Sequence, residues 1–262
     1  MKSIIYYLLF IIITFHSCQG QEKNELNQIV KIQAVKDSIK CKNHKARFTY
    51  NFPDILGKNE SNFFNNTIIK DYSNYIESKD ISKTPKEIIQ NTILYKKKEC
   101  NQKNIYVGFM GSNYNITFNN SKILSLNVNF ESFSGKINVD SYNYNFDVQQ
   151  KKILRYSDVL KDEKINELVI ICNTILNDRL KDLYAENKDE LDESDVYNSL
   201  IDSKEIFNKT NLDSFSIQEK GIEFIFNYGF QNGLFDIDNN LYFPYKDFPN
   251  YFKEDFTKKL SK

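Results

Sequence analysis

The sequence predicts an α+β protein whose antiparallel sheets are built from hairpins and packed against a long central helix and a C-terminal helix. Three observations carry this. Several short stretches alternate apolar and polar residues and are joined by turn residues. One long stretch repeats its apolar positions at helical spacing. The strands follow one another in runs, with helices grouped between them, rather than alternating strand and helix.

The chain begins with a leader. Lys2 supplies a positive start, and Ile4 to Phe15 form an apolar run well short of the roughly 20 residues that cross a bilayer as a helix. Small Ser17 then precedes Cys18, and polar Gln19-Gly20-Gln21-Glu22 follows. The pattern resembles a bacterial lipoprotein signal, although Phe15 stands where Leu is usual three positions before the Cys. It implies that Cys18 carries acyl chains and is the new N-terminus, with the membrane as a partner through that residue. Simple secretion and an uncleaved anchor are the alternatives. The expected organisation is a signal peptide at 1–17, a lipidated N-terminus and tether at 18–44, a smaller α+β part at 45–104 and a main α+β domain at 105–262.

"ARFTYNFP" alternates Phe48, Tyr50 and Phe52, which predicts a half-buried strand. "SNFFNNTIIKDYSNYI" places Phe64, Ile68, Tyr72 and Tyr75 on one helical face. A second helix starts at "TPKE", where Thr84 caps, Pro85 suits the first helical position and Glu87 completes a capping box. Next, Leu124, Leu126, Val128 and Phe130 share one parity, and Tyr142, Tyr144, Phe146 and Val148 share one after a turn near Gly135. That is a hairpin. Ile165, Leu168, Val169, Cys172, Ile175, Leu176, Leu180 and Leu183 mark the long helix, in which Cys172 reads as a core thiol. The acidic loop "ENKDELDESD" separates it from a hairpin that turns at Lys220-Gly221. A short strand follows, then a helix bearing Phe248, Phe252 and Phe256.

Composition excludes some functions. The 35 basic and 35 acidic side chains balance, which argues against a nucleic-acid partner. The many Asn, Lys, Ile, Tyr and Phe residues fit an AT-rich coding sequence, so the Asn residues, including the sequon-like Asn115 and Asn208, carry no functional weight. Cys41 and Cys100 each stand just outside a predicted element and form the expected disulfide of an oxidising compartment; two unpaired thiols are the alternative.

Catalytic devices are sparse. Once the leader is removed, His44 is the sole histidine, it has no nucleophile motif to serve, and a solvated surface role is expected. No metal and no cofactor are expected, since close-spaced Cys and His ligands are missing. Asp236, Asp238 and Asn240 imitate the opening of a calcium loop, but Leu241 replaces the required Gly, so a turn is expected. The run Asp189, Glu190, Asp192, Glu193 and Asp195 reads as a solvated stretch. Tyr142 and Tyr144 would stack on sugars if exposed; strand aromatics of this parity normally belong to a core.

The succession "ILSLNVNFESFSGK", "SYNYNFDVQQKKILRYSDVL", "FSIQEKGIEFIFNYGF" and "YFPYKDFPNYF" resembles the extracellular domain of unknown function shared by RsiV-type lysozyme-binding anti-sigma factors and PdaC-type peptidoglycan deacetylases. The stretches concerned are Tyr144 to Asp147, Asp158 to Leu160, and Pro244-Tyr245. The resemblance covers about residues 45–258, with "FTYNFPDILGKNESNFFNNTII" like the smaller preceding part. The Gly-Gly-Ala-His type turn of that family is Ser134-Gly135-Lys136-Ile137 here, and neither the deacetylase metal site nor a full membrane helix is matched. The resemblance implies a non-catalytic envelope binding module for a glycan or a lysozyme-like protein. A carboxylate-based envelope hydrolase and a purely structural envelope lipoprotein are the alternatives.

Overall fold

The computed structural model describes residues 29–42, 46–57, 61–76, 84–100, 108–192, 194–203, 205–230 and 235–261. In chain order, strands β1 (Lys31–Cys41) and β2 (Ala46–Leu56) precede helices α1 (Ser61–Ser73) and α2 (Pro85–Glu99). Strands β3 (Gly108–Asn119), β4 (Ile123–Phe133), β5 (Ile137–Asp147) and β6 (Lys152–Ile153) follow. Four helices come next: α3 (Tyr156–Val159), the long α4 (Ile165–Glu186), α5 (Lys188–Leu191) and α6 (Asp195–Asp202). Strands β7 (Phe215–Ile217), β8 (Gly221–Ile225) and β9 (Asn240–Pro244) lead to α7 (Glu254–Leu260).

The expected α+β architecture is the observed one. A six-stranded sheet runs β1-β2-β3-β4-β5-β6 and a three-stranded sheet runs β7-β8-β9. The central hairpin forms as its alternation predicts: Leu124, Leu126 and Val128 lie opposite Phe146, Tyr144 and Tyr142. Gly135 makes its turn at φ +86°, a conformation that lacks a steric cost only for glycine. Every pairing is antiparallel except that of β2 with β3, which is parallel and spans only Thr49 with Gly111 and Tyr50 with Ser112.

Two cores result. One face of the large sheet, with Phe48, Tyr50, Phe52, Leu126 and Phe130, packs on α1 and α2 through Phe64, Ile68, Tyr72 and Ile88. Thr84 Oγ1 accepts from Glu87 N at 3.2 Å to start α2. The second core joins α4, the small sheet and α7, with Cys172, Leu176, Phe224, Phe243, Phe252 and Phe256. Within α7 only Phe256 is helical; Phe252 forms a bridge to Leu160, and Phe248 lies earlier in a turn. The acidic loop is partly helical, because buried Leu191 pins α5 and Tyr184 stacks on Tyr197 with centroids 5.3 Å apart.

The tether expected over 18–44 is corrected from Lys31 onward, where the chain forms β1 instead. Its outer side carries Lys36, Ser38 and Lys40, opposite Asn51, Thr49 and Arg47, so its alternation lacks the apolar code that marks a half-buried strand. Charge on an edge strand is common because it discourages further pairing. The Cα atoms of Cys41 and Cys100 stand 5.2 Å apart and their sulfurs are bonded, tying the end of β1 to the end of α2. The expected division between 104 and 105 falls within 101–107, outside the described residues. The large sheet has strands from both sides of it.

Candidate functional site

Opposite its helix-covered face, the large sheet presents side chains from β1 to β5 that are almost all polar. Register places Asn113 beside Asn129 and Asn115 beside Asn127, then Asn129 beside Ser141 and Asn127 beside Asn143. Because cross-strand neighbours on one face lie about 5 Å apart, the result is rows of amides and hydroxyls. Asn51 Nδ2 donates to Asn113 Oδ1 at 3.0 Å, Asn127 Nδ2 donates to Asn143 Oδ1 at 2.9 Å, and Ser141 donates to Asn129.

The small sheet covers one end of this face. Ser125 and Asn145, neighbours on β4 and β5, accept from Ile217 N at 3.2 Å each, and Asn145 Nδ2 donates to Phe215 O at 2.7 Å. The other end is open. There, along the seam where β2 and β3 briefly touch, lies a trough of about 340 Å³ lined by Lys36, Thr49, Asn51, Asn113, Asn129, Glu131 and Val139. It continues toward Arg47 and Met110 through a second hollow of about 330 Å³ that shares Thr49, Gly111 and Glu131.

Gly111 forms the floor. A Cβ there would stand 3.1 Å from the Thr49 carbonyl and 3.6 Å from Glu131 Oε2, so glycine keeps the trough deep. A register shift between Phe109 and Gly111 bulges the strand at this point. Beneath it, Ser112 Oγ donates to Asn51 O at 3.1 Å and receives from Asn51 N at the same distance. Tyr72 and Tyr50 fill the core below; burial pushes the Tyr72 phenol up to about 12 and holds that of Tyr50 above its ordinary value.

The chemistry on offer is hydrogen bonding. Asn51 Oδ1 and Asn143 Nδ2 are shielded from solvent and meet no partner among the described residues; the groups that face a ligand are the partly exposed amides and hydroxyl of Asn113, Asn129 and Thr49 along the trough. Lys36 and Glu131 add one charge of each sign. Glu131 is the single carboxylate lining the trough, so a paired acid and base is not assembled there. The exposed Val139 and Ile137 supply an apolar rim. A larger groove of about 530 Å³ beside α7 is rich in lysine. Three of its four lysines are committed internally: Lys152 to Asp158 at 2.6 Å, Lys259 to Asp147, and Lys253 to Ser157 O at 2.7 Å.

The residues singled out from sequence fall elsewhere. Cys18, His44 and Glu193 lie outside the described residues. Asp192 accepts from Tyr184 at 2.7 Å, and Asp189 and Glu190 are solvent-facing on α5. The Asp236 to Asn240 stretch is held by Arg179, whose guanidinium meets Asp238 Oδ2 at 2.5 Å and the carbonyls of Asp238 and Asn240 at 2.9 and 3.0 Å. Among the described residues, no group of three or more His, Cys, Asp or Glu side chains is placed to hold a metal. Tyr144 is buried and Tyr142 half-buried in the first core. Sequence reasoning missed the trough: its Asn residues recur at every second position in a chain rich in Asn, and only strand register aligns them.

No family model matches the chain, and no curated protein does. Solved structures do match. A DUF3298 family member from Bacteroides fragilis is 12% identical, with a TM-score of 0.56 over 90% of this chain and 98% of that one. A DUF3298 family protein from Pseudomonas aeruginosa is 11% identical, with a TM-score of 0.53 over 88% of this chain and 98% of that one. At these identities the likeness shows the fold, and it agrees with the family resemblance read from the sequence.

Proposed function

We propose that the protein is a non-catalytic binding module of the bacterial cell envelope, held to a membrane through acylated Cys18, whose ligand is an envelope glycan. The observation that carries this is the open trough with its rows of Asn and Ser side chains, which match the dense hydroxyl and amide groups of a polysaccharide. The fold shared with the DUF3298 structures supports a domain of this type. Among the described residues no helix is long and apolar enough to cross a membrane; the Ser17-Cys18 junction that ends the apolar leader supports attachment through the cysteine. The lone Glu131 speaks against a hydrolase that works through paired carboxylates.

A lysozyme-like protein is the second ligand, favoured by the apolar Ile137 and Val139 rim beside the trough. Pull-down of the mature chain with peptidoglycan fragments and, separately, with lysozyme discriminates the two. Glycan enrichment that is lost in Asn113→Ala/Asn129→Ala, with an unchanged melting temperature, supports the primary reading. Lysozyme enrichment lost in Ile137→Asp/Val139→Asp supports the second. Enrichment of neither overturns both.

A further inference from the structure

We propose that the end of the molecule from which β1 starts is a lipid-docking face, seated on anionic phospholipid headgroups; this rests on the reading of Cys18 as an acylated anchor. The face is built where both ends of the described chain meet. Val30 N donates to Asn119 Oδ1 at 3.1 Å and Asn119 Nδ2 donates to Val30 O at 2.9 Å, pinning the start of the body to the end of β3. One residue on, Asn120 Nδ2 donates to Lys259 O at 2.8 Å. Lys122 Nζ donates to Lys258 O and Ser261 O at 3.2 and 3.1 Å. The last turn of α7 is therefore at the same pole.

The surface there has the composition of a membrane-contacting patch. Ile29, Leu56 and Ile116 are 62%, 45% and 41% exposed, although each stands beside a well-packed sheet. Leu56 pairs with Lys31, and Ile116 borders a hollow of about 600 Å³ shared with Leu260 and the Lys220 turn. Lys31, Lys220 and Lys258 are exposed around these aliphatic groups. Glu219 is the acid lining the hollow, and Lys258 leans to within 3.7 Å of Glu254 and Asp255. Aliphatic groups that enter the headgroup boundary, ringed by lysines that meet phosphates, are how a folded surface rests on an anionic leaflet.

The anchor selects this occupant. Residues 19–28 join Cys18 to Ile29, and ten residues reach at most about 35 Å when extended. The leash thus joins the body at Ile29, itself one of the exposed aliphatic groups of the patch. With that pole down, Gly111 stands eight residues up β3 from Asn119, which places the trough roughly 26 Å from the lipid surface. The Ser134 to Lys136 turn lies at the opposite pole.

Amide exchange of the mature protein, reconstituted on phosphatidylcholine vesicles with or without phosphatidylglycerol, tests this, with the mass of the Cys18 peptide read in parallel. Peptides covering 29–31, 116–122 and 258–261 are expected to exchange several-fold more slowly with phosphatidylglycerol, and Lys31→Glu/Lys220→Glu/Lys258→Glu to abolish the difference without changing the melting temperature. Equal exchange on both vesicles overturns the proposal. So does protection confined to the Ser134 to Lys136 turn, or protection that follows protein concentration instead of lipid, which would mark a second copy as the occupant. If Cys18 carries no acyl mass, the anchor reading fails, and the unacylated chain added to phosphatidylglycerol vesicles at low salt decides for the face. Salt-sensitive binding that weakens about fivefold for each lysine neutralised retains it; no binding overturns it.

Discussion

The side-chain amide of Asn145 donates to the carbonyl oxygen of Phe215 at 2.7 Å, across 70 residues of chain, and fastens the small sheet onto the large one. The same amide's oxygen accepts from Ser125 Oγ at 2.6 Å and from Ile217 N at 3.2 Å. Asn145 and Ser125 are both fully buried. Asn145→Ala takes the donor from the buried Phe215 carbonyl and the acceptor from the buried Ser125 hydroxyl, while Ile217 N keeps Ser125 Oγ; each lost partner costs about 1–3 kcal/mol. A loss of roughly 3 kcal/mol in urea unfolding is expected, with two transitions replacing one if the sheets part company.

The Cys41 and Cys100 bond closes a loop of 59 residues, which the chain-entropy argument values at about 4 kcal/mol. Mass analysis under non-reducing denaturing conditions is expected to show this pair linked, and Cys41→Ser/Cys100→Ser to lose most of that stability. Burial pushes the Cys172 thiol up to about 12. It should therefore resist iodoacetamide at mildly alkaline pH until the protein is unfolded.

Lys96 is 1% exposed, with its ammonium 2.8 Å from Glu99 Oε2 and 4.5 Å from the centre of the Phe48 ring. Removing the anion takes a counter-charge from a buried cation. Glu99→Gln should destabilise by about 3 kcal/mol, whereas Lys96→Met, which keeps the packing and discards the charge, should be close to neutral. Thermal melts of the two variants side by side check the asymmetry.

Burial, and after it the charge of Asp238, holds the Glu223 carboxyl above its ordinary range, against the opposing hydrogen bond from Gln218 at 2.9 Å. A folded-state value above the unfolded one means the contribution is full below about 4.3, the unfolded carboxyl value, and is lost as pH rises through the folded value. The wild-type melting temperature should thus fall relative to Glu223→Gln as pH is raised from acid toward neutral. Parallel melting curves over that range would refute the shift.

What the sequence disclosed follows from burial. The β4 and β5 hairpin and α4 were legible because their inner faces, such as Leu124 to Phe130 by twos, sit wholly in a core. Strand β3 was hidden. Its register slips between Phe109 and Gly111 and again between Ile116 and Phe118, which breaks the period-two pattern. Strand β1 was hidden because its outer side is lysine and serine at a sheet edge. The trough was illegible for another reason: Asn113, Asn127, Asn129 and Asn143 are unremarkable in an Asn-rich chain until strand pairing sets them side by side.

The disulfide at the far end of β1 also has a mechanical meaning. A pull delivered through Ile29 runs along the axis of β1, so its eleven register pairs with β2 are loaded in shear and must yield together rather than one by one. Even if they yielded, the covalent link at Cys41 would pass the tension to α2.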